Sequence, residues 1–107
     1  MQNIQNKIDE INEAFAQIDG HPDLHTLIIK KTLKIGEEYG ELCDAVLSEI
    51  GSQRKEKLAT YNKDDLESEL ADVIVSALTL ARYLKLDLEE LIVNKLTKIE
   101  KRLKSSY

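Results

Sequence analysis

Four acidic residues stand out because each pair interrupts a helical segment that is otherwise largely apolar. Glu38 and Glu41 are three residues apart, and Glu69 and Asp72 repeat that spacing further along the chain. A spacing of three places both members of a pair on one edge of a helix. At about 100° of rotation per residue, the two edges have nearly the same offset from the apolar faces of their helices. Antiparallel packing of these helices would let the four carboxylates converge.

Carboxylates that meet in a partly dry place repel one another and are costly to ionise. A divalent cation removes this repulsion, and carboxylate oxygens are the ligands that Mg²⁺ and Mn²⁺ prefer. The alternative is that these acids are the solvated edges of surface helices. The polar stripe through Asp72 is narrow, since Ser76 and Thr79 extend it and the rest of the circumference is apolar. The pattern leaves both interpretations open, and the first of them predicts a metal site.

The elements that would position these acids are four helices. Apolar residues recur at spacings of three and four, which is the period of an amphipathic helix, and no segment alternates as a strand does. The first helix is predicted over residues 4–18, and the second runs from about residue 23 to residue 50. We therefore predict one all-α domain over residues 1–107, with the architecture of a four-helix bundle.

Capping signals mark where the third and fourth helices begin. Asp64 with Glu67, and Asp87 with Glu90, have the spacing of capping boxes. The polar segment 51–63 before the third helix is predicted to be a loop. It exceeds the usual connection of about 4–6 residues, so it is either a solvated linker or a lid over the site.

Composition restricts the class of protein. Hydrophobic residues make up 42% of the 107 residues and aromatic residues 5%, a profile that suits a small helical core. The formal charge of −5 argues against binding to nucleic-acid polymers or anionic membranes. Cys43 is the single cysteine, the N-terminus lacks the apolar run of a signal peptide, and the apolar stretch 70–81 is too short to cross a bilayer. These features predict a cytoplasmic protein.

The two acidic segments resemble the signature of the MazG family of all-α nucleoside triphosphate pyrophosphohydrolases. That signature is EExxE on one helix followed by ExxD on the next. Here it reads EEYGE at 37–41 and ELAD at 69–72, and the similarity covers about Leu24 to Arg102. The resemblance implies a MazG-like fold and hydrolysis of a nucleoside triphosphate, ribo- or deoxyribo-, to the monophosphate and pyrophosphate. It also implies a role in house-cleaning or nucleotide-pool control.

The resemblance assigns roles to individual residues. The implied metal ligands and catalytic residues are Glu38, Glu41, Glu69 and Asp72. They would bind Mg²⁺, or alternatively Mn²⁺, and water activated by the metal would attack the α-phosphorus. Glu37 points away from them on a helical wheel. It is therefore expected to support the site indirectly, serve the fold, or contact a neighbouring subunit.

Basic residues are candidates for binding the substrate. Family members carry Lys, Asn and Arg on the last helix, and Lys95 and Arg102 fit two of these positions while Ile99 replaces the Asn. Lys34, one turn before Glu38 on the same edge, is a third candidate phosphate ligand. For each of the three basic residues, a solvated surface position is the alternative.

The second helix carries a further apolar stripe, which predicts self-association. Its members are Ile29, Leu33, Cys43 and Leu47. A small chain cannot cover the surplus apolar faces of its second and third helices, so we expect a homodimer or homotetramer. Two rival functions stay open, namely an enzyme like phosphoribosyl-ATP pyrophosphatase and a helical interaction module without catalytic activity.

Overall fold

The structure is a computed structural model that describes the backbone of residues 1–50 and 63–106 and the side chains of 1–50 and 65–106. Four helices make up this part of the chain, and it contains no strand. Their bounds are α1 Gln2–Ile18, α2 Leu24–Glu49, α3 Lys63–Tyr83 and α4 Leu88–Ser105. The prediction of an all-α chain with four helices is therefore confirmed. The predicted loop 51–63 lies outside the described residues, except for Lys63, the first residue of α3.

Aspartate side chains cap the first turns of α2 and α4. Asp23 Oδ1 accepts a hydrogen bond from the backbone N–H of Thr26 at 2.9 Å, and Asp23 Oδ2 accepts from the Thr26 hydroxyl at 2.8 Å. These bonds lower the pKa of Asp23. Asp87 Oδ1 accepts from the backbone N–H of Glu90 at 2.9 Å, which confirms the predicted cap of α4. The bonds from the backbone N–H groups of Thr26 and Glu90 each satisfy a helical N–H group that has no partner within the helix.

The turn between α3 and α4 is closed by two backbone hydrogen bonds. The N–H of Lys85 donates to the carbonyl of Arg82 at 3.0 Å, and the N–H of Leu86 donates to the carbonyl of Ala81 at 3.0 Å. This is the Schellman pattern, which needs one residue in the left-handed conformation. Lys85 takes that conformation with a φ of 61°. A side chain with a Cβ is strained there.

α2 and α3 form the main packing pair of the molecule. Glu38 near the middle of α2 lies close to Glu69 in the first half of α3, while Lys31 earlier in α2 lies 5.9 Å from the ring centre of Tyr83 at the end of α3. Because contacts move backwards along α3 as they move forwards along α2, the two helices are antiparallel. This is the arrangement that the paired acids require.

A small apolar core joins α1 to the far end of α3. It contains Ile8, Ala81 and Leu88, with Leu78 packed against it. Polar contacts lie beside this core. Arg82 donates two hydrogen bonds to Asp9, from Nε to Oδ1 at 2.8 Å and from Nη2 to Oδ2 at 2.9 Å. These contacts hold α1, α3 and the turn after α3 together at the C-terminal end of α3.

Arg82 and a glutamine also fix the start of α4. Arg82 Nη1 donates to the carbonyl of Leu86 at 2.7 Å. The backbone N–H of Leu88 donates to Gln5 Oε1 at 2.9 Å. These bonds tie the entry of α4 to α1 and α3.

Beyond its first residue, α4 extends away from the other described helices. Leu88 is fully buried, whereas every residue from 89 to 106 is exposed. The radius of gyration is 17.3 Å, while a compact chain of this length has about 13 Å. The molecule is therefore more open than a closed four-helix bundle. None of the described helices is long and apolar enough to span a bilayer.

Candidate metal centre

Three of the predicted acids meet between α2 and α3. Glu38, Glu41 and Glu69 each place one carboxylate oxygen within 4.8 Å of the others. Glu38 faces the partner helix and is only 7% exposed. Glu69 is half-buried, and Glu41, one turn after Glu38, lies at the exposed rim of the group. These three residues are called the acid cluster below.

Two carboxylate oxygens of the acid cluster are buried and accept no hydrogen bond from the described residues. Glu38 Oε2 and Glu69 Oε2 are buried, and no described residue donates a hydrogen bond to either. Unsatisfied buried oxygens are rare in native structures, and each needs a physical explanation. The pKa of Glu41 is raised, mainly by the negative charge of Glu38, then by burial and by Glu69. Mutual repulsion is thus built into the group.

One lysine offsets part of this charge. Lys34 Nζ lies 3.1 Å from Glu38 Oε1 and 3.4 Å from Glu37 Oε1. Hydrogen bonding to Glu38 and the charge of Glu37 raise the pKa of Lys34. Its contact is with Oε1 of Glu38, so Lys34 does not provide a donor for the buried Oε2, which has no hydrogen-bond partner among the described residues. The positive charge of Lys34 therefore offsets part of the negative charge of Glu37 and Glu38.

A hard divalent cation fits this donor set. The cluster offers only oxygen ligands, which Mg²⁺ and Mn²⁺ favour. A bound ion would coordinate the two unpartnered oxygens of Glu38 and Glu69 and remove the repulsion at Glu41. The structure thus supplies a physical reason for a cation at this place, beyond the mere presence of acids.

Asp72, the fourth predicted ligand, is not a member of the cluster. It lies three residues after Glu69 on α3 and is exposed. A step of three residues rotates the side chain by about 60° and advances it by about 4.5 Å, towards the solvent edge of the helix pair. Its role as a ligand stays a prediction.

The remaining predicted residues lie in two different places. Lys34 and Glu37 touch each other at the side of the acid cluster, where the Glu37 carboxylate is largely exposed. Lys95 and Arg102 lie on the exposed α4. Glu69 is about 21 Å from the C-terminal end of α3, at a rise of about 1.5 Å per residue, and α4 starts beyond that end. Within one chain, the structure does not bring Lys95 or Arg102 to the cluster.

The sequence contains a local signal for the ion pair between Lys34 and Glu38. The direct pairing of Lys34 with Glu38 follows from their spacing of four residues on a helix. It makes Lys34 part of the electrostatics of the acid cluster as well as a candidate phosphate ligand. The burial of Glu38 was harder to foresee, because it depends on how closely α3 approaches α2.

A comparison with protein families gives an independent finding. The family described as the MazG nucleotide pyrophosphohydrolase domain matches residues 29–106. The matched range contains all of the acid cluster, α3 and α4. No curated protein and no solved structure gives a match.

Proposed function

Because the chain belongs to the MazG nucleotide pyrophosphohydrolase family, we propose that it hydrolyses nucleoside triphosphates to monophosphates and pyrophosphate at the acid cluster. The observation that carries the proposal is the pair of buried, unpartnered oxygens of Glu38 and Glu69 beside Glu41. The family depends on divalent metals, and a bound metal ion would give these oxygens a partner. The reaction is that of a hydrolase acting on an acid anhydride.

Different residues of the chain would have different roles in this reaction. Glu38, Glu41 and Glu69 would hold Mg²⁺, or Mn²⁺ in its place, with Asp72 as a further ligand from the solvent edge. The cation supplies charge neutralisation for the triphosphate and lowers the pKa of coordinated water. A carboxylate of the group accepts the proton of the water that attacks the α-phosphorus in line.

Lys34 is placed to meet the phosphate chain. Its Nζ lies 3.1 Å from Glu38 Oε1 at the edge of the cluster. A cation bound by Glu38 would weaken that ion pair and leave the ammonium group for a phosphate oxygen. We therefore keep Lys34 as a substrate-binding residue, with Glu37 as the carboxylate that holds its side chain near the site.

The decisive experiment is incubation with a panel of NTPs and dNTPs in the presence of Mg²⁺, scoring the phosphate products. Pyrophosphate and monophosphate are expected as primary products. Orthophosphate as the first product would contradict attack at the α-phosphorus. Hydrolysis of phosphoribosyl-ATP, with no turnover of ordinary nucleotides, would instead assign the chain to the rival enzyme class. No Mg²⁺-dependent turnover and no Mg²⁺ binding would favour the non-catalytic helical module.

Self-association through α2 and α3 belongs to the same proposal. Ile29, Leu33 and Leu47 on the outer stripe of α2 are all exposed, Leu33 at 69%. At Gly36 and Gly40 between them, an added Cβ would meet open space, so another helix can approach closely. We propose a homodimer or homotetramer. Control of deoxynucleotide pools in the cytoplasm is the role that we propose for it.

A further inference from the structure

The acid cluster lies at the boundary between two halves of the α2–α3 pair that differ in charge. The acidic half comprises residues 37–49 of α2, with five acids, and residues 65–72 of α3, with four acids, and it contains no lysine or arginine. The basic half comprises residues 24–36 of α2 and 73–83 of α3. It contains no acid, and its cations are Lys30, Lys31, Lys34 and Arg82. Because the two helices are antiparallel, these ranges lie side by side, and the charge of the pair changes sign along its axis.

A row of side chains on α2 runs from the acid cluster into the basic half. Lys30, Lys34 and Glu38 are spaced by four residues, and each such step turns the side chain by about 40° and advances it by about 6 Å. Within this row, Lys34 Nζ lies 3.1 Å from Glu38 Oε1. Lys30 lies one turn further along the same edge and is exposed. It forms no hydrogen bond or ion pair with the described residues, so its ammonium group can bind an anion.

α3 carries hydroxyl groups in place of acids on the same side of the helix pair. One polar stripe of α3, with spacings of three and four residues, consists of Glu69, Asp72, Ser76 and Thr79. Because Glu69 of this stripe meets Glu38 of the row on α2, the two rows continue beside each other into the basic half. Ser76 and Thr79 are half-buried, and the antiparallel register places Thr79 near the level of Lys34. Hydroxyl groups can donate to phosphate oxygens without adding negative charge.

The other two cations of the basic half have partners in the structure. Arg82 donates to Asp9 of α1. Lys31 Nζ lies 5.9 Å from the ring centre of Tyr83, and its side chain is rotated by about 100° from that of Lys30. Acidic residues of α1 and of the turn after it act on the same ring. Lys30 and Lys34 are therefore the cations of this half that extend the row from the acid cluster.

This charge pattern favours one direction for a bound triphosphate. The β- and γ-phosphates carry most of the negative charge of a nucleoside triphosphate. With the α-phosphorus at the acid cluster, they can extend into the acidic half or into the basic half. The acidic half repels them and the basic half attracts them. Attack at the α-phosphorus also makes pyrophosphate the leaving group, so the charge that develops during the reaction belongs at the basic end.

We propose that the two terminal phosphates of the substrate lie along Lys34 and Lys30, and that Lys30 binds the γ-phosphate and thereby selects triphosphates over diphosphates. Lys30 would donate a charge-assisted hydrogen bond to a γ-phosphate oxygen. The bond between the α-phosphorus and the bridging oxygen breaks, and its electron pair leaves with pyrophosphate, whose charge the two lysines offset. The nucleoside then lies beside the acidic half. This inference rests on the proposed function, because it takes the α-phosphorus as the point of attack.

Binding of substrate analogues tests the role of Lys30 without turnover. The probes are the α,β-methylene analogues of a nucleoside triphosphate and of the matching diphosphate, titrated into the protein with Mg²⁺ in a calorimeter. Lys30→Gln should weaken binding of the triphosphate analogue by about 10-fold, the effect of losing one charge-assisted hydrogen bond. The affinity for the diphosphate analogue should equal that of the wild type. Unchanged affinity for the triphosphate analogue, or equal weakening of both analogues, would overturn the proposal.

Lys31→Gln is the matched control, because it removes the same charge at the adjacent position on a different side of α2. It should leave the affinity for both analogues unchanged. Lys30 is exposed and glutamine is a good helix former, so the fold of Lys30→Gln should be preserved, which circular dichroism checks. Equal weakening by the two variants would show that the triphosphate responds to the general charge of α2 and does not contact Lys30.

Inhibition by the two products tests the direction of the substrate. Lys30→Gln should raise the inhibition constant of pyrophosphate, measured with Mg²⁺, and leave that of the nucleoside monophosphate unchanged. The reverse pattern would mean that the nucleoside lies on the basic half, and it would overturn the proposal.

The outcomes separate this inference from the proposed function. A wild type that neither binds nor hydrolyses any nucleoside triphosphate with Mg²⁺ would refute both. A wild type that releases pyrophosphate, while Lys30→Gln binds and hydrolyses the same substrate equally well, would refute the role of Lys30 and leave the proposed function intact.

Discussion

At the scale of single residues, the molecule concentrates unfavourable electrostatics at one place. Glu38 is 7% exposed and has a lysine on one carboxylate oxygen, while no residue in the described part of the chain donates to the other. Its neighbours Glu41 and Glu69 add like charge. Such an arrangement is destabilising without a cation, which is a common property of sites selected for function over stability.

The first prediction concerns Glu38→Gln. Loss of a direct ligand should reduce Mg²⁺-dependent turnover by at least about 100-fold, since removing even an outer partner of a ligand typically costs about 10- to 100-fold. The same change relieves charge repulsion, so the metal-free variant should melt at the same temperature as the wild type or higher. Initial rates of hydrolysis with Mg²⁺ measure the first effect. Thermal unfolding with and without Mg²⁺ measures the second, and it should also show that the stabilisation by Mg²⁺ is lost.

Glu49→Gln is the control for that experiment. It makes the same change of charge on the same helix at an exposed position outside the acid cluster. It should keep the stabilisation by Mg²⁺ and the turnover of the wild type. An undiminished response of Glu38→Gln to Mg²⁺ would remove the acid cluster as the metal centre.

At the scale of elements, the chain is held together by antiparallel packing of α2 on α3 and by contacts at the far end of α3. The core of Ile8, Ala81 and Leu88 is small, so we expect the polar contacts around it to contribute more to stability than they would beside a large core. Arg82 is central to them because it binds α1 and the turn before α4 with one planar group. The direction in which α4 leaves the molecule depends on these bonds.

The second prediction is that Arg82→Lys lowers the free energy of unfolding by about 1 kcal/mol at neutral pH, because an ammonium group cannot reproduce the two-bonded contact with Asp9. The estimate is kept small because the Asp9 side chain is 43% exposed to solvent. Urea unfolding of the two proteins measures the difference. Equal stability would show that the contact contributes little.

The third prediction gives this difference a dependence on pH. Hydrogen bonding to Arg82 lowers the pKa of Asp9 below its ordinary value of 3.8. The contact therefore stabilises fully above that ordinary value and is lost as the pH falls through the lower pKa of the folded state. The gap between wild type and Arg82→Lys should be constant near neutral pH and close in the acid range below 3.8. A gap that stays constant into strong acid would exclude Asp9 as the partner that matters.

The fourth prediction concerns the turn before α4. Lys85 has a φ of 61°, a conformation that glycine adopts without strain. Lys85→Gly should therefore raise the free energy of unfolding by up to about 1 kcal/mol. Lys85→Ala is the matched control, since it removes the same long side chain but keeps the Cβ, and it should give no gain. A gain of equal size in both variants would point to the lysine side chain instead of the backbone.

At the scale of the whole molecule, the open shape is the main finding. The radius of gyration is 17.3 Å, and the apolar residues of α4 beyond Leu88 are exposed in the described part of the chain. Stability that depends on a second copy changes with concentration by mass action. The chain is thus expected to behave as part of an assembly.

The fifth prediction follows from this shape. The midpoint of thermal unfolding of the wild type should rise when the protein concentration is raised from about 1 to 100 µM, because only the folded state associates. Leu96→Glu should unfold at a midpoint that is lower and nearly independent of concentration. Calorimetry or circular dichroism across this range measures the effect. A wild-type midpoint that does not move would argue for a self-sufficient monomer.

The sequence alone determined the features that depend on local periodicity and spacing. The spacing of apolar residues predicted the four helices, and Asp87 with Glu90 predicted the cap of α4, because these signals act within a few residues of one another. The two acidic pairs predicted a meeting of carboxylates, since a helix fixes the side on which each residue lies.

Only the tertiary structure decided features that depend on how helices approach one another. It made Glu38 buried and Asp72 exposed although both belong to the same motif, because burial depends on the distance to the partner helix and not on spacing. It also turned α4 away from its own chain. Lys95 and Arg102, which the resemblance makes candidate substrate-binding residues, are thereby separated from the acids of the same chain, and no local pattern could have predicted that separation.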